Sequence, residues 1–248
     1  MCLKFNCRGL IILLVLVFFT AIVGSVKLNS KRPCNDKSPE CLRRTIQSIL
    51  PKFMTGVPEY GVENMDPFHI DKFEFDFAGN LKGELRDGRA RGLKKCIVDS
   101  ASLTNDVVET VLHCNLTIKG KYKSSGHLLL FTINGNGVTM IKCVNIKIHN
   151  VMKLGYEVRA DGQKYLTIKE TKTDHSYDDG RIMYNMTNLF KGSPETSKIV
   201  LEFMNENWHM VAEEFGDPMV NYGVSIVIKN IQDLFKNIPY ERFLFADF

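Results

Sequence analysis

The sequence predicts an α+β fold: a long C-terminal helix wrapped by a strongly curved antiparallel β-sheet, with a short N-terminal helix. Three observations predict it. From Lys72 to Asn188, one-sided strand patterns alternate with turn-forming residues. From Ser193 to Phe245, apolar residues recur at steps of three and four (Leu201, Met204, Trp208, Val211, Phe215, Met219, Tyr222, Ile226). That is the period of a helix with a buried stripe. After Pro218 the stripe widens, because Val220, Val224 and Ile228 add a second row. A helix apolar on most sides must be surrounded, and this one is too short in uninterrupted apolar length to cross a bilayer. A one-sided sheet needs cover and the helix needs company. A curved sheet around the helix satisfies both.

The chain opens with Lys4 and Arg8, then an apolar run from Leu10 to Val23, then Gly24 and Ser25. This is the pattern of a secretory signal cleaved near Ser25, and the run is short for a membrane span. The expected organisation is a signal peptide over 1–25 and one domain over 26–248. The expected location is secreted and extracellular, with no stable membrane anchor. The whole chain has a net charge of +4, and loss of Lys4 and Arg8 brings it to +2. Such a balance lacks the concentrated basic face of a nucleic-acid protein, so no nucleic-acid partner is expected. Arg43–Arg44 and the basic residues from Arg86 to Lys95 read as solvated surface.

Beyond the signal the cysteines are Cys34, Cys41, Cys96, Cys114 and Cys143. In an oxidising compartment disulfides form and persist. Cys34 and Cys41 flank a short loop before the first helix and are expected to pair. At most two of the other three can pair. A cross-strand bond between Cys96 and Cys114 is sterically conceivable, because a turn at Thr104 to Asp106 lies about midway. No CxxC or HxxxH spacing supports zinc, so no metal and no cofactor are expected.

The first helix carries Leu42, Ile46, Ile49, Leu50 and Phe53 on one face, and Pro51 interrupts it. Phe73-Glu74-Phe75-Asp76-Phe77 alternates strictly, which points three rings one way and two carboxylates the other. Turns are expected at Gly79-Asn80, Asp87-Gly88, Thr104-Asn105-Asp106, Ser124-Ser125-Gly126, Gly135-Asn136-Gly137, Asp161-Gly162 and Asp178-Asp179-Gly180. Leu128 to Ile133 is apolar on both faces and is expected to be the most deeply buried strand. Val144, Ile146 and Ile148 share an apolar face. Asn115-Leu116-Thr117 and Asn185-Met186-Thr187 are glycosylation sequons. A glycan must face solvent, so Asn115 and Asn185 assign the faces of their strands. Leu112, Cys114, Leu116 and Ile118 then point inward, as do Ile182, Tyr184 and Met186.

A series of short motifs, in order, resembles the insect takeout and juvenile hormone-binding protein family, single-domain members of the tubular lipid-binding group. The motifs are Cys34 and Cys41, Met65-Asp66-Pro67-Phe68, Leu81-Lys82-Gly83 leading to Arg91-Gly92-Leu93, and Val98-Asp99-Ser100. Gly126 to Val138, Lys164-Tyr165-Leu166-Thr167-Ile168, Asn188-Leu189-Phe190, Phe203-Met204-Asn205-Glu206-Asn207-Trp208 and Ile238-Pro239-Tyr240 continue the series. The resemblance implies an apolar tunnel between helix and sheet, and carriage of juvenile hormone or other long apolar ligands in extracellular fluid. It also implies links to feeding, circadian rhythm, odour or mating behaviour, as in some members. The cysteines after Cys41 do not match the second disulfide of the hormone-binding branch, so the broader takeout group fits better.

The expected function is therefore a secreted carrier of a terpenoid or fatty acyl lipid. The expected tunnel wall is Phe73, Phe75, Phe77, Leu128, Leu130, Phe131, Val138, Met140, Tyr184, Trp208, Val211, Phe215 and Met219. Tyr184 and Trp208 can bond a ligand oxygen. The alternative is a signalling or structural glycoprotein with a packed core, acting through surface contacts; an unidentified receptor is a further expected partner. An enzyme is not expected: there is no GxSxG and no HExxH, and the six histidines are scattered.

Overall fold

The computed structural model describes residues 38–77, 81–128 and 130–240. The expected signal segment, Cys34, the expected Gly79-Asn80 turn and the last residues of the expected C-terminal helix, from 241 on, lie outside the described residues. Helix α1 (Pro39–Met54) precedes β1 (Phe68–Phe77), β2 (Leu81–Arg91), β3 (Ile97–Thr104), β4 (Val107–Leu128), β5 (Phe131–Val158), β6 (Lys164–Ser176) and β7 (Arg181–Met186). Three helices follow: α2 (Pro194–Glu206), α3 (Trp208–Phe215) and α4 (Asp217–Asn237). Among the described residues no helix is long and apolar enough to cross a membrane.

The long hairpin of β4 and β5 is the spine of one antiparallel sheet. The outer edge of β4 carries β2 and β3 end to end, with β1 beyond β2. The outer edge of β5 carries β6 and β7 in the same way. Straight, a strand of 28 residues would run roughly 90 Å. Bulges curl it instead, because an extra residue bends a strand and tightens its twist. Register shifts occur at Arg86/Arg89, Val98/Ser100, Cys114/Leu116 and Lys153/Leu154. At the third, Asn145 takes φ 54° and its N–H donates to Asn115 Oδ1 at 2.8 Å. The bulge turns Cys143 and Ile146 to the same inner face and leaves Val144 41 % exposed. The expected inward Val144 is thereby corrected.

The sequon argument correctly assigns the faces of β4 and β7: Cys114, Ile118 and Ile182 are buried, and Asn115 and Asn185 are exposed. The expected turns fare less well. Ser124-Ser125-Gly126 lies inside β4, and Gly135-Asn136-Gly137 lies inside β5. The hairpin turns between Leu128 and Phe131, so the segment expected to be deepest is a tip, with Leu130 89 % exposed. The glycines serve close approach rather than turning. A Cβ on Gly135 would sit 2.8 Å from Leu189 O, and one on Gly137 would collide with Thr187 O.

Helix α1 starts at an N-cap Ser38, whose side chain accepts from Cys41 N. It runs through Pro51 to the buried Met54, so the proline does not end it. Cys41 is disulfide-bonded. Two of the edge strands, β3 and β7, are each capped at one point by an amide side chain that imitates a neighbouring strand. Gln47 Oε1 accepts from Val98 N at 2.7 Å and its Nε2 donates to Cys96 O at 3.2 Å, which seats α1 on β3. Asn205 Oδ1 accepts from Tyr184 N and its Nδ2 donates to Tyr184 O, both at 2.8 Å, which seats α2 on β7. Unpaired edges invite association with other strands. Asn205→Ala should cost about 2 kcal/mol by leaving both Tyr184 backbone groups unpaired. Thermal unfolding should show a fall in Tm of about 4–8 °C; an unchanged Tm would show that β7 needs no such cap.

The C-terminal helix bends at Gly216, as expected from Gly216-Asp217-Pro218, and a Cβ there would collide with Ala212 O and Tyr177 Oη. A second break falls at Asn207, whose Nδ2 donates to Phe203 O at 2.9 Å. The apolar spacing continues across it and conceals it. α4 lies along the concave face of the sheet. It is pinned at its middle by Asn230, which is 0 % exposed, accepts from Glu63 N at 2.7 Å and donates to Ile226 O at 2.9 Å. Its far end is held by Asn237 Nδ2 on Tyr60 O and by the guanidinium of Arg159 on Lys236 O.

Candidate ligand cavity

Sheet and helices enclose a cavity of about 550 Å³. The inward face of β1 supplies a ladder of rings. Phe73 and Phe75 have centroids 6.3 Å apart, and Phe75 and Phe77 5.2 Å. Phe73 reaches Tyr222 of α4 at 4.8 Å, and Phe77 meets Phe215 of α3 edge-on at 5.0 Å. The ladder therefore closes the seam between the first strand and the bent helix. Leu85, Ile118, Ile133, Ile141, Ile146 and Met152 supply the sheet side. α1 contributes Ile46, Ile49, Leu50 and Phe53, and α4 contributes most of its length from Met219 to Phe235. Nearly all of α4's apolar residues keep some accessible surface, because they border a void rather than packed atoms.

Of the expected wall, Phe73, Phe75, Phe77, Leu128, Tyr184, Val211, Phe215 and Met219 line the cavity. Leu130 does not, being at the hairpin tip. Phe131 packs edge-on against Phe203 at 5.1 Å instead. Val138, 54 % exposed, and Met140 lie on the outer face of β5. Gly135 and Gly137 occupy the inner positions there, so Thr139 and Ile141 take the inward phase. Trp208 begins α3 just after the break at Asn207 and packs against the buried cluster that includes Ala212, without lining the cavity itself. α1, Thr139 and Cys143 also line the cavity and are not part of the expected wall. The alternation Thr139, Ile141, Cys143 is the signal that finds the last two, once the turn is moved to Leu128–Phe131.

The fold and cavity have known counterparts. A family model described as haemolymph juvenile hormone binding protein matches residues 12–244. The chain belongs to this family. The crystal structure of Epiphyas postvittana Takeout 1 is similar at a TM-score of 0.79 with 33 % identity, covering 84 % of this chain and 96 % of that one. The circadian clock-controlled protein daywake of Drosophila yakuba is 25 % identical over 228 residues, 86 % of each chain. Its Drosophila melanogaster namesake is 25 % identical over 224 residues, 85 % of each chain. The takeout resemblance and the helix-in-sheet fold expected from the motifs are those of the molecule, and the family is one of binding proteins.

In this juvenile hormone binding protein family member, Cys96 and Cys114 form a disulfide with Cα atoms 4.4 Å apart. Cys143 is free and buried on the wall. Burial pushes its thiol up to about 11 from 9.0, so it is a poor nucleophile. Burial also pushes the Tyr122 hydroxyl up to about 12 from 10.0, and raises Tyr177 and Tyr184. Among the described residues the wall thus presents only neutral polar groups. Tyr122 and Cys143 hold their protons more tightly folded than unfolded. Their contribution to stability is complete below the unfolded values and is lost as pH rises through the folded ones. The urea midpoint should hold up to pH 9 and then fall between pH 9 and 12. Cys143→Ala should remove the lower part of that fall; an identical profile would contradict the buried thiol.

Proposed function

We propose that this chain is a secreted carrier of one long apolar small molecule, a terpenoid or a fatty acyl lipid, held in the cavity between α4 and the sheet. The observation that carries this reading is the cavity itself: about 550 Å³, within the roughly 300–1,000 Å³ of small-molecule sites, with no Lys, Arg, His, Asp or Glu among the described residues of its wall. A fully packed core, required by the signalling-glycoprotein alternative, has no such void. Family membership supports the reading, since the family is described by the binding of a hormone. A signal peptide over 1–25, a mature domain over 26–248, glycans on the exposed Asn115 and Asn185, and a Cys34–Cys41 bond complete the proposal. Behavioural roles and a receptor belong to it as well, with no catalytic step.

Burial of a chain in such a cavity contributes about 0.8 kcal/mol per methylene, or about fourfold in affinity per added carbon. The test is uptake of the fluorescent probe N-phenylnaphthylamine and its displacement by a series of long-chain esters. Affinity should climb with chain length and level off when the cavity is full. Absence of uptake, or affinity independent of chain length, would contradict the carrier.

A further inference from the structure

The end of the β4–β5 hairpin presents an apolar side chain to solvent. Leu130 stands in the turn between Leu128 and Phe131 and is almost fully exposed. A single exposed leucine is ordinary, but this one has apolar company. Phe131 beside it is only partly buried, against Phe203 of α2. Ile199, one helical turn before Phe203, is 61 % exposed. The cavity reaches the same end of the sheet. Leu128, next to the turn, lines it, as do Leu81, whose partner Gly126 is two residues back along β4, and Phe77 opposite Leu81.

The second observation is charge. From Thr110 to Tyr156, nearly the whole hairpin, the chain holds six lysines and no Asp or Glu. Lys119, Lys121 and Lys123 recur at period two on the outer face of β4, all exposed. Lys121 is paired with Asp87 at 2.8 Å. Glu84, opposite Lys123 on β2, is taken by Arg86 at 2.8 Å. Among the described residues Lys119, Lys123 and Lys191 make no ion pair. Lys191 stands closest to the tip, where its backbone N–H donates to Asn134 O at 3.3 Å. Free cations behind an apolar tip complement the negative surface of a bilayer with anionic headgroups. A hairpin turn offers far less area than the roughly 800 Å² per side of a stable protein interface. Asn185 pairs with Met140, roughly 30 Å along β5 from Phe131, so a glycan there leaves the tip clear.

We propose that the β4–β5 hairpin tip docks the protein on bilayers that carry anionic lipid. Leu130 enters the interface with Phe131 and Ile199 beside it, and Lys123 and Lys191 meet the headgroups. Docking is reversible, because a few apolar side chains and lysines hold far less firmly than a spanning helix. It brings one end of the cavity to the phase in which an apolar ligand dissolves, a consequence that rests on the carrier reading.

The experiment is sedimentation of the full chain with sucrose-loaded vesicles of phosphatidylcholine, alone or with about one-third phosphatidylserine, at about 0.05 M and about 0.5 M salt. Wild type should sediment with the mixed vesicles at low salt, at least about tenfold less with phosphatidylcholine alone, and be released at high salt. Leu130→Glu should lower partitioning at least about tenfold, and so should Lys123→Ala combined with Lys191→Ala. These side chains lie on the surface, so the variants should keep the wild-type Tm and take up N-phenylnaphthylamine as wild type does. Sedimentation of Leu130→Glu equal to wild type would overturn the tip. Equal sedimentation with both kinds of vesicle, or none with either, would overturn docking on anionic lipid and leave the carrier standing. Docking without probe uptake by wild type would overturn the carrier and leave docking standing. A dimer in light scattering that Leu130→Glu dissolves would show that a second copy covers the tip, and would overturn the proposal.

Discussion

Replacing Gly223 by Phe should abolish ligand uptake and leave the fold intact. Gly223 lies on α4 one turn from Met219 and one turn from Val227, all three on the cavity wall. Residues four apart on a helix share a face, so a side chain at 223 projects between theirs. A Cβ there meets nothing within 4 Å. A phenyl ring would therefore enter the void without displacing wall atoms. Glycine in a helix interior is less favourable than an ordinary residue by about 0.5 kcal/mol, so stability should hold or rise slightly. Probe affinity should fall by at least about 100-fold, since blocking a handful of methylenes removes several kcal/mol of burial. Uptake equal to wild type in a folded variant would place the ligand elsewhere.

Replacing Cys96 and Cys114 together by Ala should produce the largest loss of stability. The bond closes a loop of sequence separation 18, for which chain entropy alone predicts about 3 kcal/mol. It stands at the start of β3, next to the Cys96 carbonyl that Gln47 of α1 grips. Both sulfurs lie on the cavity wall, so their loss also loosens the cover that α1 provides. Tm should fall by about 6–12 °C. A Tm within one degree or so of wild type would show that the edge is held by Gln47 and packing alone.

Much of this site is legible wherever local chemistry decides orientation. The strict alternation at Phe73, Phe75 and Phe77 is enough to place three rings on the wall. The sequons at Asn115 and Asn185 assign Cys114, Leu116, Ile118, Ile182, Tyr184 and Met186 to the inside, where they are found. The widened stripe after Pro218 marks the part of the helix that borders the void.

Legibility ends where distant segments set the local conformation. Glycines at 135 and 137 resemble a turn, but are small because the chain at 187–189 crosses them. Misplacing that turn inverts the phase of β5, and so sends Val138 and Met140 to the wall in place of Thr139. The bulge at Asn145 depends on a side chain 30 residues away and leaves no mark in the alternation. The break at Asn207 hides within an unbroken apolar period and takes Trp208 off the wall. Leu130 is apolar yet exposed, and the composition of its neighbours points the other way.

The central claim is that the cavity holds one ligand. Native mass spectrometry of the protein purified from a secreting host tests it most directly. A 1:1 adduct with a terpenoid or fatty acyl lipid is expected, released on unfolding and missing from Gly223→Phe. A bare protein mass that takes up neither a terpenoid ester nor a fatty acyl ester would contradict it.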